Sequence, residues 1–376
     1  MQENEEGSLK SISIVILTRN RSSYVKKLLD LLHIELKSFE GPAEVIVVDS
    51  SESEESKAIS RICREYGYEF HFFRGSISQA RNYGINIARF QIVLFIDSDC
   101  EIVPGILQEH VKPYTEKDIG GILGLTNFTG KENLTWKIIE RTPFHIPFSF
   151  ARRMDYAPWG PCTNISFRRE ILIKIGGFRT QFPFDFSGED VDIGLRMNQL
   201  GYKIKCNPKA LVNHRRETWS NPVSFCRKIF RWGRTGFHIL KQHSYLSTID
   251  FPKFSTILLL IFCLFVVCGL LGFGWKMSTL LILWLLCAPI VDAILKSFGS
   301  NKKISDFLLN YSSFWLILVY EFGSVFESLK NGSPSMLYRR HMYGSGQILF
   351  EWKQNVLQNW SFIICIIALV FVLAIT

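Results

Sequence analysis

From residue 11 to about residue 100, short β-branched apolar runs alternate with longer amphipathic stretches. SISIVILTRN predicts a strand that ends in Thr18-Arg19-Asn20. Tyr24 to Leu36 predicts a helix whose apolar stripe is Leu28, Leu29, Leu32 and Ile34. EVIVVDSS (44–51) reads as a buried strand, 53–67 as a helix and EFHFFRG (69–75) as a weaker strand. A further helix follows at 76–90, then another buried strand, QIVLFIDSDC (91–100). Strands apolar on both faces, alternating with helices, predict right-handed βαβ units around a mostly parallel sheet. Ligands of such sheets bind beyond the C-terminal ends of the strands. Those ends carry Thr18-Arg19-Asn20, Asp49-Ser50-Ser51 and Asp97-Ser98-Asp99, so the three polar clusters are expected on one edge.

Beyond residue 250 the pattern changes to nearly continuous apolar residues. Spans at about 255–275, 278–295 and 360–376 are each near the length that crosses a bilayer. A fourth, 305–326, carries Asp306, Glu321 and several Ser, which leaves three or four crossings open. The expected organisation is an α/β catalytic domain over 1–220, a basic amphipathic interfacial segment over 221–253 and an α-helical membrane domain over 254–376. No internal repeat or low-complexity tract is visible.

Composition sharpens this division. The 376 residues are 47% hydrophobic and 20% charged, less charged than the roughly 25% usual for a soluble domain. That excludes a disordered chain. The net charge of +9 has an address: residues 202–253 hold eleven Lys/Arg against Glu217 and Asp250. A basic segment just before an apolar span suits the anionic cytoplasmic leaflet, so the expected partner there is membrane lipid and not nucleic acid. The nine Cys stand singly, without metal or CxxC spacing, which points to a reducing compartment. MQENEEGSLK is acidic and polar, so no signal peptide is expected. The resulting expectation is a multi-pass protein of the cell membrane with a cytoplasmic catalytic domain.

Two clusters carry candidate chemistry. Asp97 and Asp99, one residue apart at a strand end, suit a hard divalent cation that bridges to phosphate oxygens. Phe186-Ser187-Gly188-Glu189-Asp190-Val191-Asp192 opens an amphipathic helix. Asp192 fits ordinary capping there. Three acids in four residues also suggest that one faces a cleft, where a carboxylate near an acceptor hydroxyl serves as a general base.

These residues resemble the family 2 glycosyltransferases of the GT-A fold. The matching elements, from about residue 11 to 215, are SIVILTRN, VIVVDSS, ARNYGINIA, LFIDSD, NISFRREILIKIGGF and GEDVDIGLR, in the family's order. The resemblance implies that Thr18, Arg19, Asn20 and Asp49 bind the nucleotide and that Arg81 lies near the donor diphosphate. It implies that Asp97-Ser98-Asp99 holds Mn2+ or Mg2+, with His214 as a third ligand or a diphosphate contact. The base falls on Asp190, with Glu189 adjacent. Trp159, before Cys162, is either a core aromatic or part of the acceptor wall. Two departures stand out. The family's second strand often ends Asp-Asp-Gly-Ser, whereas here it ends Asp49-Ser50-Ser51-Glu52. Processive members carry Gln-x-x-Arg-Trp, and here Lys228 precedes Arg231-Trp232. The implied reaction is inverting transfer of one sugar from a UDP- or GDP-sugar to a lipid-linked glycan. The alternatives are a polyprenyl-phosphate sugar synthase, a nucleotidyltransferase and a non-catalytic membrane scaffold.

Overall fold

The computed structural model describes residues 11–181, 183–185, 187–249, 253–272, 274–297, 304–341 and residue 364. The chain divides into two compact units. One is a sheet unit of 1–131 and 145–218, the other a helical unit of 132–144 and 219–376. The stretch 132–144 therefore leaves the sheet unit and groups with the C-terminal residues.

The sheet unit begins with β1 (Ile12–Thr18), α1 (Ser22–Ser38), β2 (Ala43–Asp49), α2 (Ser53–Tyr66), β3 (Glu69–Phe72), α3 (Ile77–Ile87) and β4 (Ile92–Asp97). The expected strand 91–100 breaks at Ser98, and β5 (Cys100–Ile102) starts beyond a two-residue turn. Then come α4 (Ile106–Val111), β6 (Ile119–Thr129), α5 (Leu134–Ile139, in the helical unit), α6 (Phe150–Arg153), β7 (Tyr156–Ala157) and β8 (Asn164–Arg168). The unit closes with α7 (Arg169–Lys174), α8 (Glu189–Gln199) and β9 (Lys203–Arg215).

The strand order is β3-β2-β1-β4-β8-β6-β9-β5, with β7 also on β9. The pairs among β1 to β4 are parallel, as the βαβ rhythm predicts. The expectation of a mostly parallel sheet needs correction in the second half. There β6 and β9 still pair in parallel, but β8 runs antiparallel to β4 and β6, and β5 and β7 run antiparallel to β9. Apolar runs report that a strand is buried and leave its direction open, so this mixture is not visible in the pattern.

The core lies between β1, β2 and β4 and the covering helices, with Ile14, Ile16, Val47, Leu94, Leu28 and Leu32 at 2% exposure or less. Helix α1 contributes Val25, Leu28, Leu29 and Leu32, whereas Ile34 is 64% exposed, contrary to the expected stripe. The i+3 and i+4 steps from Leu28, Leu29 and Leu32 lead to residue 35 or 36 and bypass residue 34. Buried Glu35 takes that place and accepts from the backbone N–H groups of Gly105 (2.8 Å) and Leu107 (3.1 Å) at the start of α4.

Behind the sheet, His110 is fully buried. Its Nε2 faces Asn164 Oδ1 at 2.8 Å and its Nδ1 faces Ser166 Oγ at 3.0 Å. Asn164 donates onward to the carbonyls of Leu125 and Ala210, which ties β8 to β6 and β9. Burial pushes the His110 imidazole down from its ordinary value near 6.5 to about 4, with the Asn164 contact opposing that shift. The folded state thus keeps His110 neutral where the unfolded chain would protonate it. Stability from this group is full above pH 6.5 and is lost as pH falls from 6.5 towards 4, by about 3 kcal/mol at most. Urea midpoints of wild type and His110→Gln at pH 7.5 and pH 5 check this. The expected result is a wild-type midpoint that drops more steeply on acidification than that of the variant.

In the helical unit, α9 (Pro222–Gln242) crosses α12 (Ile304–Lys330) at a backbone-to-backbone contact. A Cβ on Gly233 would sit 1.8 Å from the Tyr320 carbonyl oxygen, so only glycine permits this approach. Beside it, Arg234 and His238 converge on the buried carboxylate of Glu327, at 2.6 and 3.3 Å. Helices α10 (Phe254–Leu270) and α11 (Gly274–Ser297) join α12 through Phe254, which stacks on Trp284 at 4.0 Å and meets Phe314 edge-on at 4.6 Å. A short pair, β10 (Ser247–Ile249) and β11 (Arg339–His341), completes the unit.

Three of the expected spans fall on α10, α11 and α12, and the remaining one, 360–376, lies outside the described residues apart from residue 364. Among the described residues, no helix is long and apolar enough to cross a membrane. α10 has 17 residues, about 26 Å of helix against a hydrocarbon core of about 30 Å. α12 carries Asp306, Glu321, Glu327 and Lys330 along its length. The basic stretch 202–253 is shared between the two units. Lys203 and Lys205 of β9 pair with Asp118 and Glu116 in the sheet unit, and Arg234 pairs within the helical unit.

Candidate active site

The ends of β1 and β2 form the first wall. Asn20 turns the chain at a φ of 54°, and its Oδ1 accepts from the Glu52 N–H at 2.9 Å. Its own N–H donates to Ser51 Oγ at 2.7 Å. Ser51 in turn donates its hydroxyl and its backbone N–H to Asp49 Oδ1. Asp49 is fully buried, and its Oδ2 has no hydrogen-bond partner; the same holds for Thr18 Oγ1. A buried carboxylate oxygen and a buried hydroxyl are each costly to leave unmatched. Two such atoms at neighbouring strand ends fit a ligand that supplies donors and acceptors there. Arg19 is exposed beside them.

The turn after β4 separates the two acids that the sequence presents as a chelating pair. Asp97 Oδ2 accepts from the Thr163 hydroxyl at 2.7 Å. Ser98 is buried. Asp99, 3% exposed, points the other way: Arg21 Nη1 lies 2.7 Å from its Oδ2 and His214 Nε2 lies 3.5 Å from its Oδ1. Antiparallel pairing of β5 with β9 puts Cys100 opposite His214, and this register brings the histidine to Asp99. Burial opposes ionisation of Asp99, yet His214 and Arg21 hold its carboxyl below the ordinary range.

These residues fit a cation. Side-chain ligand atoms of Asp99, Cys100 and His214 lie within 4.8 Å of one another. His214 Nδ1 faces the Arg215 carbonyl at 3.2 Å, so Nε2 is the ring nitrogen turned towards Asp99. Asp99 Oδ1 has no hydrogen-bond partner. Burial pushes the Cys100 thiol well above its ordinary range, so the charged donor is Asp99 alone. The Asp99 carboxylate suits a hard cation such as Mg2+ or Mn2+, and the imidazole suits transition metals such as Zn2+ as well. Asp97, facing Thr163, does not join this group.

The third wall is the start of α8. Gly188 enters it at a φ of 73°, a conformation that favours glycine. Glu189 pairs with the Arg81 guanidinium from α3, and both are buried. Burial works against the charge on Arg81, but Cys162, Glu189, Asp97 and Asp190 around it outweigh that and keep it protonated. Arg81 is therefore the common neighbour of the β4 end and the α8 start. Burial and the adjacent Glu189 push the Asp190 carboxyl up to about 7, with Arg81 pulling the other way. Asp192, fully buried, bridges Arg179 (2.9 Å) and Arg196 (2.8 Å) and ties α8 to the loop before it. Trp159 is 8% exposed and packs against Phe150 and over Gly194 of α8, which makes it a core aromatic. Phe186 of the same motif lies outside the described residues.

Sequence reasoning did not single out Arg21 or Thr163. Arg21 directly follows the Thr18-Arg19-Asn20 strand end, and that adjacency was its signal. Thr163 follows the Trp159–Cys162 stretch as one polar residue in a buried run, a pattern shared with many structural threonines.

Residues 13–176 match the family model described as Glycosyl transferase family 2. The O-antigen biosynthesis protein RfbC of Myxococcus xanthus is 26% identical over 153 residues, covering 35% of this chain and 12% of that protein. The chain thus spans about an eighth of the length of the curated relative it matches. A solved structure described as the crystal structure of GalNAc-T7 with UDP, GalNAc and Mn2+ aligns with a TM-score of 0.42 and 18% identity. The alignment covers 55% of this chain and 43% of that one. The ends of β1 and β2, the Asp97 and Asp99 turn and β8 all fall inside the stretch that matches the glycosyl transferase family 2 model, residues 13–176.

Proposed function

We propose that the chain is a metal-dependent, inverting glycosyltransferase. It moves one sugar from a nucleotide-sugar donor, a UDP- or GDP-sugar, to a hydroxyl of a lipid-linked saccharide in glycan or O-antigen-type polysaccharide synthesis. The observation that carries this reading is the electrostatic arrangement around Arg81. A carboxyl held near 7 at Asp190 stands beside a permanently charged guanidinium that also neighbours the strand end bearing Asp97.

In this reading Thr18 and Asp49 bind the nucleoside through their unmatched oxygens, with Arg19 and Asn20 shaping the mouth. Asp99 and His214 hold Mn2+ or Mg2+, and Asp97-Ser98 shapes the turn that presents Asp99. The cation supplies charge neutralisation for the departing diphosphate. Arg81 provides a fixed positive charge on the same side. Asp190 accepts the proton of the acceptor hydroxyl as that oxygen attacks the anomeric carbon from the face opposite the leaving group. Glu189 holds Arg81 in place and keeps Asp190 weakly acidic, so that it is basic enough to take the proton near neutral pH.

Membrane association belongs to the same proposal. It is supported by the exposed apolar side chains on α10 and α11, among them Leu260, Phe262, Val267, Leu270, Ile282 and Leu286. Exposed apolar area of this extent marks an interaction surface, and a lipid-linked acceptor would be delivered there. Singly placed, free cysteines in the sheet unit accord with a catalytic unit on the cytoplasmic side of the cell membrane.

The test is donor turnover by purified protein in detergent with Mn2+ or Mg2+, a panel of UDP- and GDP-sugars and a membrane lipid extract. Nucleoside diphosphate release that requires metal, one donor and the lipid fraction, with an inverted anomeric linkage in the product, is the expected result. A retained linkage, or product in which the sugar sits on the lipid phosphate itself, would overturn the proposed acceptor chemistry.

A further inference from the structure

We propose that Arg21 is a resident counter-cation of Asp99, which an incoming divalent ion must displace, and that it thereby sets how tightly the site takes metal. The proposal rests on the reading of Asp99 as a metal ligand. Arg21 Nη1 lies 2.7 Å from Asp99 Oδ2 while Asp99 Oδ1 faces His214 Nε2. The guanidinium therefore occupies one of the two oxygens of the only charged donor in the candidate metal group. Its backbone is fixed, because the Arg21 carbonyl accepts from the Val25 N–H at 3.0 Å in the first turn of α1. The side chain is 39% exposed, against 3% for Asp99, so the guanidinium has a solvated place to go and the carboxylate does not.

The surrounding cations are engaged elsewhere. Lys27 pairs with Glu101 at 2.6 Å, and Arg215 lies between Glu101 (3.3 Å) and Glu217 (3.7 Å). Beside His214, itself a proposed ligand, Arg21 is thus the cation that competes directly for Asp99. A buried carboxylate without a counter-charge is unfavourable, so Arg21 stabilises the metal-free fold. In doing so it lowers the fraction of protein whose Asp99 is open to metal. The apparent dissociation constant rises by the reciprocal of that fraction. Metal binding and Arg21 release are then one exchange, and the released guanidinium remains next to Thr18-Arg19-Asn20 at the donor mouth.

The experiment is a Mn2+ titration of the purified full chain, with no nucleotide present, followed by the EPR signal of free Mn2+. The proteins are wild type, Arg21→Met, Arg21→Gln and Asp99→Asn, each checked for wild-type circular dichroism. Arg21→Met is expected to bind Mn2+ about tenfold more tightly, the equivalent of one partly buried ion pair removed from competition. Arg21→Gln carries the same expectation, should the methionine variant fold poorly. Unchanged or weaker Mn2+ binding in the folded variants overturns the proposal. Asp99→Asn separates the two ideas. If it binds Mn2+ like wild type, the metal reading itself fails; if it loses binding while Arg21→Met is unchanged, only the role of Arg21 fails.

Discussion

Asp190→Asn is expected to lower kcat by about 10²- to 10⁴-fold, the range that a positioned general base contributes, with Mn2+ and donor binding kept. Asparagine preserves the shape of the α8 start and removes only the group that takes the proton. Wild-type activity should rise with pH through about 7, because burial and Glu189 place the Asp190 titration there and only the carboxylate form accepts a proton. Glu189→Gln withdraws a negative neighbour and leaves the Arg81 charge less compensated. Both changes favour ionised Asp190, so the acid limb of the kcat profile should move to lower pH. A pH profile that moved up, or stayed in place, would remove Glu189 from this role. The contrast two residues on is informative. Asp192 is fully buried between Arg179, which is partly exposed, and Arg196, which also donates to the carbonyls of Ile175 and Gly177. Asp192→Ala removes the acceptor that both share, and the expected loss is about 1–3 kcal/mol of stability in urea unfolding, an effect that Asp190→Asn should not share.

Asp99→Ala is expected to reduce kcat/KM by at least about 10²-fold and to abolish the dependence on Mn2+, since several kcal/mol of leaving-group stabilisation depend on the bound cation. Asp97→Asn should cost much less, because its amide oxygen still accepts from Thr163 and the turn keeps its shape. Titrating Mn2+ against donor turnover for the three proteins checks this. Two variants with equal losses would restore the chelating pair that the sequence suggests.

The part of the fold that local pattern controls was legible. The βαβ rhythm from β1 to β4 follows from apolar runs separated by amphipathic stretches, and the polar triplets at Thr18, Asp49 and Asp97 lie at strand ends as expected. Legibility ends where a contact joins distant positions. The break at Ser98 that parts Asp97 from Asp99 falls inside an unbroken strand-like run. The pairing of β5 with β9 that delivers His214 depends on a register that no local spacing encodes. Ile34 was misplaced by a single helical step, and that step is what puts Glu35 under the start of α4. Residues 132–144 fall within the expected 1–220 domain because sequence position alone leaves open which unit a segment packs with. Arg21 carries no mark in the local pattern, because an arginine at a helix start is common and its partner follows the neighbouring strand β4, far along the chain.

The pairing of β5 with β9 also bears on how the protein is made. Asp99 leaves the ribosome early, whereas His214 lies on the last strand of the sheet unit to be synthesised. Domains fold as they emerge, N-terminal parts first, so the β1–β4 layer can form before His214 reaches Asp99. A nascent chain therefore passes through a stage that has the three polar strand ends and lacks the imidazole. The Asp99–His214 contact arrives only with the closing strand, which ties the proposed cation site to completion of the sheet.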